Sequence, residues 1–139
     1  MIKHSISINA PKDSIFQLYQ DVAAWPAWDN EVSDVSLEAF SLGASGWLKP
    51  RKGPKAKIKI TELEPGHSFT VESALPLCRI RFGHDLIESR NKTTATHWVQ
   101  FVGPLAFLFR RLIGNELDQT LPQTLLGLKQ ASEETRVSS

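Results

Sequence analysis

The sequence predicts an α+β domain in which a curved antiparallel sheet of six or seven strands wraps around a long C-terminal helix, with short helices after the first strand. Three observations predict it. Apolar and polar residues alternate with a period of two over Ile2–Ile8 and through most of the segment from Glu31 to Gly103. Turn residues break that segment at short intervals, with no spacing that would suit a βαβ crossover. From residue 105 the period becomes helical, carried by Leu105, Leu108, Leu112, Leu117, Leu121, Leu125 and Leu128.

The first strand is expected to stop at Asn9-Ala10-Pro11, with Pro11 opening a helix at a position where its missing N–H costs nothing. Ile15, Leu18, Tyr19 and Val22 give that short helix an apolar face. It ends in Trp25-Pro26-Ala27-Trp28-Asp29, because Pro26 disfavours helical geometry at Trp25. Strands are expected over Val32–Phe40 and Ser45–Lys49, flanking Leu42-Gly43, then around Ala56, Ile58 and Ile60. Glu64-Pro65-Gly66-His67 is a turn, Phe69 and Val71 continue the alternation, and Arg79–Ile87 and Thr93–Val102 form the longest pair. Gly103-Pro104 opens a helix from about 105 to 132, roughly 40 Å long at its ordinary rise, bent near Asp118 by Pro122. Residues 133–139 read as a frayed polar tail.

A chain of 139 residues suits one domain, here taken as 1–139. With 16 basic against 15 acidic residues it carries no global charge suited to nucleic acid. The single cysteine, Cys78, rules out an intrachain disulfide and fits a reducing compartment. No apolar run approaches the ~20 residues of a membrane span, and the N-terminus has no signal-peptide core, so a cytoplasmic location is expected. The residues call for no cofactor, and a homodimer stays open.

Particular residues also resemble a known family. Ile6-Ser7-Ile8-Asn9-Ala10-Pro11, Asp21 with Trp25-Pro26-Ala27-Trp28, Thr96-His97 running into Phe101-Val102-Gly103-Pro104-Leu105-Ala106, and the Leu121-Pro122 step carry the resemblance. The chain resembles the START-like, birch-pollen-allergen-like superfamily (SRPBCC), in its polyketide cyclase/dehydrase and lipid-transport branch. The resemblance covers nearly the whole chain. It implies a helix-grip fold with a hollow between sheet and helix, and members that range from aromatic polyketide cyclases to sterol and lipid carriers.

The chemistry-bearing residues converge on one hairpin. Centring its turn between Arg90 and Asn91 sets His84 opposite His97 on one face of the sheet. Cys78, Ile80, Phe82, Leu86, Val99 and Phe101 share that face, which makes it the helix-facing side; His4 shares the inward face of the first strand with Ile6 and Ile8. One reading is a self-satisfied core pair; the other is a polar spot that orients a ligand or moves a proton. The candidate ligand-binding set is His4, Trp28, Phe69, Ile80, Phe82, His84, His97, Val99, Phe101 and Leu112, with His84 and His97 the candidates for acid–base catalysis. No metal-ligand spacing is present. Lys49, Arg51, Lys52, Lys55, Lys57 and Lys59 read as a solvated outer strand face. Nucleophile, phosphate-loop and zincin motifs are missing.

Three functions follow. The first is a carrier or sensor of a small apolar or aromatic molecule or lipid, held between sheet and helix. The second is a polyketide cyclase/dehydratase-like enzyme using pocket histidines as acid and base. The third is an interaction protein with a vestigial pocket. The mostly apolar inward face favours the first.

Overall fold

The structure is a computed structural model that describes the backbone of residues 1–138 and the side chains of residues 1–134. Seven strands form one antiparallel sheet in the order β1-β7-β6-β5-β4-β3-β2. They are β1 (Ile2–Ile8), β2 (Val32–Leu37), β3 (Ser45–Pro50), β4 (Ala56–Glu64), β5 (Ser68–Leu75), β6 (Cys78–Ser89) and β7 (Lys92–Val102). Helix α1 (Lys12–Gln20) and the short α2 (Trp25–Trp28) follow β1, and α3 (Ala106–Ser138) closes the chain. Each strand after β2 pairs with the one before it, as short turns dictate, and β1 closes the far edge against β7.

Two local expectations change. Pro26 does not end a helix; it sits in the first turn of α2, where its missing N–H is harmless, and Trp25 itself is helical at φ −52° and ψ −42°. The break comes earlier, at Asp21, followed by a single 3-10 turn over Val22–Ala24. The last helix runs past residue 132. Glu133, expected to fray, accepts a hydrogen bond from the Asn9 backbone N–H at 2.9 Å; the side chains of the rest of that tail, beyond Glu134, lie outside the described residues.

Helix α3 lies across β1 and β7, with a lesser contact on β6, while α1 and α2 cover the remaining concave face. One close approach fixes its seat. A Cβ on Gly127 would lie 2.0 Å from the Trp28 carbonyl oxygen, so no larger residue fits there. Thr124, three residues earlier, donates a hydrogen bond to Asp29 Oδ1 at 3.1 Å. Burial holds the Asp29 carboxyl above its usual range, partly offset by hydrogen bonds from the Glu31 N–H and Thr124.

Candidate functional site

The register of the sheet assembles the inward face in rows. Phe69 on β5, His84 on β6, His97 on β7 and His4 on β1 are successive cross-strand partners. The next inward row is Ile60, Val71, Phe82, Val99 and Ile2. Ile80 and Phe101 pair in the row beyond. The expected pairing of His84 with His97 is therefore present, and their rings stand edge to face with centroids 4.7 Å apart.

Each imidazole has a distinct environment. The Phe69 ring stacks flat on His84 with centroids 4.0 Å apart. His84 Nδ1 donates to the Phe69 carbonyl at 3.1 Å. That bond fixes the neutral tautomer with its free lone pair on Nε2, which meets no partner among the described residues. His97 is buried, and its Nε2 lies 2.8 Å from the Tyr19 hydroxyl. Burial pushes the His84 pKa down to about 4, opposed by the Phe69 bond. Burial, and then the neighbouring His84, hold His97 well below the usual imidazole range. Tyr19 is pushed up by burial and by the charge of Asp85, so its hydroxyl keeps its proton. The cluster is uncharged at neutral pH.

His84 lies deep enough for this shift yet retains part of its surface, as does its neighbour Phe82. Trp28 is buried against Tyr19, their ring centroids 6.0 Å apart, and its Nε1–H has no partner among the described residues. A buried donor left unpaired costs about 1–3 kcal/mol, so it is an oddity that calls for an explanation. The Tyr19 and His84 ring centroids are 5.6 Å apart. An unpartnered donor and an unpartnered acceptor thus flank the same tyrosine.

The candidate residues divide into two groups. Trp28 and Phe69 belong to a closed core with Tyr19, Phe16 and Phe40. Ile80, Phe82, Val99 and Phe101 belong to a second cluster with Leu121 and the half-buried Phe109, Ile113 and Leu117 of α3. His4 shares the histidine row but sits at its rim, with Nε2 2.6 Å from Asp118 Oδ1 of α3. Leu112 is a correction: it points outward and is 65% exposed. The inward line of α3 is Phe109, Ile113, Leu117 and Leu121, one residue on from Leu112 and so turned by about 100°. The five-residue step from Leu112 to Leu117 breaks helical spacing and was the warning in the stripe.

Two residues that touch the histidine row do not stand out in the sequence. Tyr19 reads there as one residue of a helix face, and Asp118 only as the place where the last helix should bend. Tyr19 is the chain's one tyrosine, and its place on the apolar face of a helix leaving β1 was the available signal. Two open hollows are lined mainly by outward-facing residues of the sheet. One of about 580 Å³ is lined by Trp47, Lys55 and Lys57, among others. The other, of about 310 Å³, is lined by Lys3, His67 and Asp85, among others. Both hollows are open to solvent. Among the described residues no group of three or more His, Cys, Asp or Glu side chains is placed to hold a metal ion, and no helix is long and apolar enough to cross a membrane.

No family model matches the sequence, and neither does any curated protein. Solved structures do. A protein from Mesorhizobium loti aligns over 96% of this chain and 98% of its own, with a TM-score of 0.73 and 15% identity. A Thermus thermophilus protein aligns over 96% and 97%, with a TM-score of 0.70 and 15% identity. StfQ, a di-domain ARO/CYC from the steffimycin biosynthetic pathway, aligns over 98% of this chain and 46% of its own, with a TM-score of 0.72 and 10% identity. The likenesses concern fold, and with the sheet gripping α3 they give one conclusion: this chain shares with these proteins a helix-grip fold, a curved antiparallel sheet around a long C-terminal helix.

Proposed function

We propose that the domain binds a small, largely apolar molecule carrying a hydroxyl group, as a carrier or sensor, on the concave face between the histidine row and α3. The observation that carries this reading is the pair of unpartnered polar atoms beside Tyr19: Trp28 Nε1–H, a donor, and His84 Nε2, an acceptor. A hydroxyl has the chemistry each atom lacks, a proton for His84 and a lone pair for Trp28, while Phe82, Val99 and Leu117 offer an apolar wall beyond the histidine row. The likeness to StfQ supports the reading at the level of fold alone.

Catalysis of the cyclase/dehydratase type fits less well. A general acid needs a proton to give near neutral pH, and burial keeps both imidazoles neutral there. His97 is further committed to Tyr19. Titration of the protein with a naphthol, followed by NMR at the indole N–H resonances, tests the binding reading. The Trp28 N–H is expected to shift on saturation, and His84→Phe to weaken binding about tenfold, the cost of one lost hydrogen bond of average strength. An unmoved Trp28 resonance across naphthols and longer hydroxylated amphiphiles would sink it.

A further inference from the structure

The outer side of α3's first turns is apolar as well as the inner side. Phe107 is 66% exposed, Leu112 65% and Leu108 37%. A fourth large apolar side chain is brought beside them. Leu105 N–H donates to the Leu77 carbonyl at 3.0 Å, tying the β5–β6 turn to the start of α3, and Leu77 is 67% exposed. Leu77 also occupies the left-handed region at φ 52°, where glycine or asparagine is the ordinary choice. A leucine held there, facing solvent, gains nothing for the core.

Charge identifies what this surface fits. Arg110 and Arg111 are exposed on the same turns, neither forms an ion pair among the described residues, and no acidic residue occurs from Ala106 to Asn115. Large apolar side chains interleaved with free guanidinium groups match an anionic lipid surface: the hydrocarbon enters the acyl boundary and the cations meet phosphates. A second copy of the chain would bring arginines against arginines across a two-fold contact, which is repulsive. We infer that the start of α3 and the β5–β6 turn form a peripheral docking surface for anionic membranes. Docking needs no bound ligand, so it stands or falls separately from the proposed binding function.

Vesicle flotation with the full chain tests it. Vesicles of equimolar phosphatidylcholine and phosphatidylglycerol should retain the protein, pure phosphatidylcholine should not, and raised salt should release it. Arg110→Gln and Arg111→Gln should each weaken binding about fivefold, and F107S with L112S should abolish it without lowering the melting temperature. K55Q with K57Q, on the other basic face, should leave binding within twofold. Retention that is absent, or lost with the lysine pair and kept by the arginine and apolar variants, overturns the inference. Concentration-dependent dimerisation removed by F107S and L112S, with no vesicle binding, overturns it in favour of a self-contact.

Discussion

The two ends of the concave face are built from similar residues and packed to different degrees. Around Tyr19 the rings of Phe16, Phe40, Phe69 and Trp28 meet at centroid distances between 5.0 and 6.5 Å, all edge to face, and Tyr19, Phe16, Phe69 and Trp28 are buried. Under the first half of α3, Ile80, Val99, Phe101 and Leu121 are buried, but Phe82, Phe109, Ile113 and Leu117 stay half-buried although all point inward. Aromatic content does not account for this. The closed end is covered by α1 and α2, which the chain delivers straight from β1, whereas the open end has only α3 above it. Closure follows helix cover, and the histidine row marks the border.

The largest expected effect lies at the closed end. Phe69→Ala removes a ring that contacts Phe16, Tyr19, Phe40, Trp25 and His84, and should cost about 3–5 kcal/mol of stability, read from urea unfolding. A loss no greater than that of a half-buried residue would erase the contrast between the ends.

The border should show itself in pH. The folded-state pKa of His84 is lowered to about 4 from 6.5, and that of His97 lies well below 6.5. Above pH 6.5 neither the folded nor the unfolded chain binds these protons, and their contribution to stability is flat. As pH falls from 6.5 towards 4 the unfolded chain takes up protons that the folded chain refuses, so stability is lost on acidification. His84 alone accounts for on the order of 2–4 kcal/mol by the bottom of that window. Urea midpoints measured across the window should fall, and His84→Phe should flatten the fall; an unchanged slope in the variant would place the titration elsewhere.

At the open end the smallest cost is expected. Phe82→Ala should lose only about 1–2 kcal/mol, since part of the ring is already in water, yet it should weaken naphthol binding more than Phe69→Ala does in any sample that remains folded. The reverse order in the titration would move the binding site to the closed end.

Much of this arrangement was readable in the sequence, for a local reason. A two-residue turn at Arg90-Asn91 fixes the register of both long strands, so His84 could be placed against His97 without any tertiary knowledge. Both turn residues adopt positive φ, 54° and 67°, the conformation such a tight hairpin demands. Tyr19 meets His97 across 78 positions of chain, through a helix whose orientation no local rule supplies. The same holds for Asp118 and His4, 114 positions apart. Leu112 was misplaced because a row of leucines was followed through a gap of five residues, where the helix had already turned its other side to the sheet.

Gly127 carries a consequence for how much molecule the open end can admit. It lets the α3 backbone sit against the Trp28 carbonyl, about 27 Å along the helix from Phe109 at 1.5 Å per residue. The other end is tied as well, by the Leu105 N–H to the Leu77 carbonyl and by Asp118 to His4. Over that length a change of about five degrees in the helix angle corresponds to roughly 2 Å at Phe109. Contacts at both ends thus set how far Phe109, Ile113 and Leu117 stand from the sheet.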